Sequence, residues 1–324
     1  MKSGGKYQEY DLKCSKIDII GPANRDLLPI NEKLKSTLDW TKLRQIIHLR
    51  PRAEKVAALF RIRSKLVTEI YRFMEQQEYY NVTTPIITSN DCEGGGDTFK
   101  ISDANSFFGK DVYLTVSSQL HLEAMASAMS KVFTLSPAFR AENSQTRRHL
   151  AEFSMLEAEE YFLDSLDDLM DRVELLVKHL TTFVSEKCFD DMDSLTMSDS
   201  KSRYAKNIEK LLWKKYIRLT YEEAIDIINK TQKIEVVNIG DDIGRHHEKF
   251  LLDYFEGIPI FITHYPTSLK PFYMKEEDGK ALCFDLIVRT GGELCGGSLR
   301  EDSLEILTNR LALLGRMDSL KWLA

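Results

Sequence analysis

The sequence contains no run of the ~20 apolar residues that a membrane-crossing helix needs. Its first stretch, MKSGGKYQEYDLKCSK, has neither an apolar signal core nor the Arg/Ser-rich character of a transit peptide. A soluble chain without a membrane partner is expected. Its five cysteines (Cys14, Cys92, Cys188, Cys283, Cys295) are odd in number, scattered and never spaced C-x-x-C. That argues against a disulfide framework and a zinc site, and fits a reducing compartment. There is no cationic surplus: 44 Lys and Arg face 50 Asp and Glu, a formal charge of -6, so any nucleic-acid contact must come from local basic patches. H-E-x-x-H, G-x-S-x-G and G-x-x-x-x-G-K-[ST] are all missing, which removes the signatures of zinc proteases, α/β-hydrolases and P-loop NTPases. No repeat or low-complexity tract occurs. What is present is a globular composition, 43% hydrophobic and 10% aromatic over 324 residues.

Along the chain, YDLKCSKIDIIG (10–21) alternates polar and apolar residues before Gly-Pro and predicts a strand closed by a turn. Residues 22–45 show little periodicity and read as a hinge. Leu59, Ile62, Leu66, Ile70 and Phe73 recur every three or four positions and predict one amphipathic helix over 53–77. Strands are predicted at YYNVTTPIIT, at 111–117 and at 131–136, with a small-residue helix, SQLHLEAMASAM, between the last two. Leu166, Leu169, Val173, Leu176, Leu180 and Val184 mark a long helix, followed by a polar stretch over 185–205 read as a surface loop. Thr220 and Glu223 form a capping box for YEEAIDIINK, and IPIFITHYP and ALCFDLIV predict later strands. The expected class is α+β, a mixed, mainly antiparallel sheet flanked by helices.

Three stretches carry chemistry. In FRAENSQTRRHLAEF (139–153), a strand would set Arg140 and Glu142 on one face, with Arg148 and His149 on the returning loop and Phe153 as a flat stacking surface. Guanidinium groups grip phosphate or carboxylate oxygens in a fork, so a nucleotide fits; a solvated hairpin with surface ion pairs fits the spacing too. In FDLIVRTGGELCGGSLRED, Asp285 and Glu293 flank a tight turn. Mg²⁺ favours one or two carboxylates plus phosphate oxygens, while the glycines let backbone approach a ligand and Arg300 lies beyond them. A ligand-free glycine hairpin is the alternative. In TVSSQLHLE, Ser117 and Gln119 are either polar contacts at a strand end or a helix cap.

Taken together, these stretches resemble the class II aminoacyl-tRNA synthetases, specifically the asparaginyl family in its mitochondrial form. YYNVTTPIITSNDCEGGGDTF looks like motif 1 and the segment after it, FRAENSQTRRHLAEFSMLEAE looks like motif 2, and YPTSLKPFYM with GGELCGGSLRE resembles later signatures. The resemblance implies a class II catalytic fold over 46–324, a hinge at 23–45, and in residues 1–22 the last strand of an anticodon-binding OB-fold. It implies that Arg140 holds the α-phosphate and the substrate carboxylate, that Glu142, Arg148, His149 and Leu150 contact ATP, and that Phe153 stacks on adenine. Glu293 with Asp285 would hold Mg²⁺, and Glu93, Ser117, Gln119 and Arg300 would bind the amino acid. Leu122 stands where aspartyl relatives place a lysine, so a charged aspartate would be left underpaired and asparagine is the expected substrate. The implied partners are asparagine, tRNA(Asn) and a second copy of the chain in a homodimer. The implied location is the mitochondrial matrix, with the cytoplasm as alternative. The chain ends GRMDSLKWLA without a G-x-G-x-x-R pattern, so the catalytic domain is expected to lack motif 3 and to be incomplete at its C-terminus. The alternative function is therefore a non-catalytic truncated form, a dimerising or asparagine/ATP-binding module.

Overall fold

A computed structural model describes residues 1–5, 9–24, 27–28, 40–89, 98–143, 149–195, 201–231 and 234–320. The chain divides into two compact units, Met1–Arg61 and Ile62–Ala324. In the first, α1 (Trp40–Gln45) buries Leu43, and α2 (Glu54–Gln76) begins. The strand predicted over 10–21 does not form. Tyr10 makes a single bridge to Lys2, and Leu12, Ile17, Ile19 and Ile20 are exposed. Alternation yields a strand only where another strand satisfies its backbone groups, and none lies beside this segment among the described residues.

The second unit starts with the rest of α2, which runs as the apolar period predicts. Ile62, Ile70 and Phe73 are buried, whereas Leu59, in the first unit, is exposed. The strand predicted at YYNVTTPIIT is cut by Pro85 into β1 (Tyr80–Asn81) and β2 (Ile87–Thr88). After α3 (Ala104–Phe108), the stretch 111–117 pairs only at β3 (Tyr113–Leu114), against β2. α4 (Gln119–Met129) leads into β4 (Lys131–Phe139) and β5 (Glu152–Glu160). Then come α5 (Leu166–Lys187), α6 (Phe189–Leu195) and α7 (Lys201–Trp213). The loop predicted over 185–205 is thus mostly helical. Its aspartates, Asp190 and Asp191, sit in the first turn of α6, where acidic side chains complement the helix dipole rather than break the helix.

β6 (Ile217–Thr220) and α8 (Tyr221–Thr231) follow. The predicted capping box closes: Thr220 Oγ accepts from the Glu223 amide at 3.2 Å, and Glu223 Oε2 accepts from the Thr220 amide at 2.8 Å. Next are α9 (Arg245–Tyr254), β7 (Ile260–Thr263), β8 (Glu276–Glu277), β9 (Lys280–Ala281), β10 (Cys283–Val288), β11 (Gly292–Ser298), α10 (Leu304–Leu313) and α11 (Met317–Leu320).

Two main sheets result among the described residues, in the orders β1-β4-β5 and β11-β10-β7-β6. Each is mixed and mainly antiparallel, with one parallel pair, β1 with β4 and β6 with β7. The four-stranded sheet has apolar cover on both faces. Tyr221, Ile225, Ile228, Leu251, Ile260, Ile262 and Ile287 form one cluster, and Leu166, Met170, Phe261, Phe284 and Leu286 form the other. Such double cover explains why β7 and β10 read as apolar runs, broken within β10 only by Asp285.

Candidate active site

The β4–β5 hairpin builds the first half of the site. Its ladder runs to Phe139 opposite Glu152, and the Arg140 amide adds one bond to the Ala151 carbonyl at 3.1 Å. The Arg140 guanidinium then lies 5.8 Å from the Phe153 ring centroid, so one cation and one aromatic face are held together as the sequence suggested. Glu142 differs from expectation. The strand ends at Phe139, so same-face alternation does not carry to it; it is exposed and meets His149 across the hairpin at 3.4 Å. Leu150 is also exposed. Arg148 and Glu93 lie outside the described residues.

Along β5, residues two apart share a face. Phe153 is therefore followed on its side by Glu157 and Glu159, acids that sequence reasoning missed although the pattern EAEE at a strand end announces them. Glu157 receives the Ser117 hydroxyl and, at 2.9 Å, the Ser118 amide. Burial raises the Glu157 pKa despite these bonds. Ser117 Oγ also accepts from the Gln119 amide at 3.1 Å at the start of α4. The Gln119 side-chain nitrogen is buried with no hydrogen-bond partner among the described residues.

Glu159 accepts from Arg300, whose Nη1 donates to Ser298 Oγ at 2.8 Å and whose Nε lies 3.5 Å from Glu123. Burial opposes the charge on Arg300, but Glu159 and Glu123 outweigh it and raise its pKa. Burial likewise pushes the Glu123 pKa up, partly offset by Arg300. Leu122, expected to touch the amino acid, is wholly buried with Ala126 and Val132. On α4 it faces the core, so it is a packing residue and not a contact.

The β10–β11 hairpin supplies the second half. Asp285 lies opposite Gly296, and Glu293 opposite Ile287 past an irregularity in register. A Cβ placed on Gly296 would be 3.3 Å from Asp285 Oδ1 and 3.7 Å from Glu293 Oε1. The two carboxylates thus converge over the space that glycine leaves. Glu293 is exposed, yet desolvation, reinforced by Asp285 and Glu248, raises its pKa, while Lys270 and Arg140 act in the opposite sense. Lys270, which the sequence reading overlooked, donates to Asp285 Oδ2 at 2.7 Å and lies 3.9 Å from the Tyr265 ring centroid. Among the described residues no group of three or more His, Cys, Asp or Glu gathers to hold a metal. Two carboxylates converging beside Gly296 fit instead a cation that brings phosphate ligands with it.

The arrangement combines an aromatic–guanidinium pair, a carboxylate pair, and a half-buried guanidinium between two acids. The family model for tRNA synthetases class II (D, K and N) matches residues 40–322. The mouse asparaginyl-tRNA synthetase is 39% identical over 99% of this chain and 70% of its own length. The asparagine–tRNA ligase of Buchnera aphidicola is 38% identical over 96% and 70%. Among solved structures, the asparaginyl-tRNA synthetase from Pyrococcus horikoshii complexed with asparaginyl-adenylate superposes with a TM-score of 0.83 at 32% identity, covering 95% of this chain and 68% of that one. On the match over most of its length and the geometry above, this chain belongs to the class II tRNA synthetases of the D, K and N group.

Proposed function

We propose that the chain is an asparagine–tRNA ligase, which activates asparagine with ATP to asparaginyl-adenylate and pyrophosphate and then transfers the asparaginyl group to tRNA(Asn). The observation that carries this reading is the joint placement of Arg140 over Phe153 and of Arg300 between Glu159 and Glu123. Arg140 holds the α-phosphate and the asparagine carboxylate, so attacking and attacked atoms share one guanidinium. Phe153 stacks on adenine, with Glu142, Arg148, His149 and Leu150 around the nucleotide. No protein nucleophile is needed; alignment and charge neutralisation carry the step. Asp285 and Glu293 are the residues that would hold Mg²⁺, whose chemistry there is to neutralise phosphate charge, and Lys270 supplies a fixed cation beside them. Glu93, Ser117 and Gln119 complete the amino-acid pocket.

Selection of asparagine over aspartate follows from charge. Arg300 is already balanced by Glu159 and Glu123, so an aspartate carboxylate beside it would find no cation to spare. A homodimer is part of the proposal, supported by the exposure of Tyr71 on α2 and, in the stretch that resembles motif 1, of Tyr80 on β1 and Ile87 on β2. A mitochondrial location rests on the resemblance of LKPFYM and SQTRRHLAEF to that form of the family.

The test is asparagine-dependent ATP–pyrophosphate exchange, with aspartate as the paired control. Exchange with asparagine alone is expected, and Arg140→Ala should lower it by about 10²- to 10³-fold while leaving the mass in solution unchanged. A folded chain that binds asparagine and ATP without any exchange would replace this reading with that of a non-catalytic binding module.

A further inference from the structure

α10 packs on the site through Leu307 and Leu311, one turn apart, which meet Val116, Leu120 and Phe272 in a single apolar cluster. Arg310, next to Leu311, emerges at the edge of that cluster, and none of the roles above uses it. Its Nη1 donates to the Phe272 carbonyl at 3.0 Å and the Met274 carbonyl at 2.8 Å, and its Nη2 to Glu276 at 2.8 Å. Glu301, with a side chain only 3% exposed, lies 3.4 Å from Nη1.

The backbone of residues 272–276 explains why a guanidinium stands there. Its odd-numbered peptide groups are satisfied by neighbouring chain: the Lys275 amide donates to Leu299, the Tyr273 carbonyl accepts from Glu301, and the Lys275 carbonyl accepts from Leu282. The even-numbered carbonyls of Phe272 and Met274 point the other way, and Arg310 takes both. The planar fork reaches two carbonyls and a carboxylate at once, which an ammonium on a flexible stem does not.

This segment and its flank touch both Asp285 and Arg300. At its start Lys270 is bonded to Asp285. In its middle the Tyr273 ring lies 4.8 Å from the Arg300 guanidinium, and Met274 bridges Arg300. We propose that Arg310 is a positioning residue for asparagine: by clamping the 272–276 segment from the side of α10 it sets the place of Tyr273, and through Tyr273 the place of Arg300. This rests on the asparagine-activating function above. Arg310 touches no substrate and acts through the segment it holds.

The experiment compares the full chain with Arg310→Met, Arg310→Lys and, as a control, Arg218→Met, which breaks an ion-pair cluster with Asp167 and Asp171 elsewhere on the four-stranded sheet. In ATP–pyrophosphate exchange, Arg310→Met should raise the KM for asparagine about tenfold, with the KM for ATP within about twofold of the parent, a loss on the scale of one charge-assisted bond. Arg310→Lys should fall between the two, and Arg218→Met should leave both constants unchanged. Hydrogen exchange read by mass spectrometry should show lost protection at the Lys275 and Glu301 amides in Arg310→Met. An unchanged asparagine KM, or full restoration by lysine, overturns the proposal. If the parent shows no exchange with asparagine, the functional reading fails by itself; protection at Lys275 and Glu301 then still decides whether Arg310 holds the segment, and unchanged protection overturns that too.

Discussion

Two neighbouring glycines show how one residue type serves opposite needs. In β11 they face opposite sides of the sheet. A Cβ on Gly297 would lie 2.6 and 2.7 Å from two ring atoms of Phe284, a side chain 1% exposed and set edge-on against Phe261. That ring has nowhere to go. Gly297→Ala is expected to cost about 1–3 kcal/mol, read as a fall in the midpoint of thermal or urea unfolding. Gly296→Ala should leave that midpoint nearly unchanged and instead weaken exchange activity, since its methyl group would crowd the oxygens of Asp285 and Glu293. A large loss of stability at Gly296 and none at Gly297 would reverse the assignment. The sequence reading saw the glycines as permitting close approach of backbone to a ligand. Gly296 is the one that stands beside the carboxylates, and alternation alone does not say which face meets the core.

At the scale of elements, α2 and α5 were legible because a 3.6-residue apolar period is a local property of the chain. The polar contact between them was not. Glu69, 3% exposed, accepts from Arg72 on its own helix and meets His179 of α5 at 2.6 Å. His179 also lies with its ring 4.6 Å from that of Phe73. Burial works against the Glu69 carboxylate, but bonds and charge from Arg72 and His179 prevail and hold its pKa below the ordinary glutamate value. A carboxyl with a depressed pKa stabilises the fold fully above the unfolded-chain value, about 4.3, and the contribution disappears as pH falls through the lower folded value. Glu69→Gln should therefore unfold more easily at pH 7, and its midpoint should fall less steeply than the parent's between about pH 4.3 and pH 2. Parallel pH profiles would show that Glu69 contributes nothing to acid sensitivity.

For the whole molecule, the two sheets are tied at the proposed substrate site by Glu159 of β5 and Arg300 beyond β11, residues 141 positions apart. A ligand that bridges the site ties both sheets together and binds only the folded state, so it must raise stability by mass action. A non-hydrolysable mimic of asparaginyl-adenylate at about 100 times its Kd should add about 2.7 kcal/mol, visible as a raised thermal midpoint. The aspartyl mimic at the same concentration should shift it much less. Equal shifts would remove the charge argument for asparagine built on Arg300, Glu123 and Glu159.

The sequence by itself determined the long helices, the capping box at Thr220 and Glu223, the apolar strands β7 and β10, and the grouping of Arg140 with Phe153, because each depends on periodicity or on residues a few positions apart. Only the tertiary structure decided that Leu122 belongs to the core, that Glu157 and Glu159 face Ser117 and Arg300, and that Lys270 sits on Asp285. Those placements depend on which strands pair and which helix face turns inward, and such choices follow from contacts between segments far apart in the chain, where no local pattern records them.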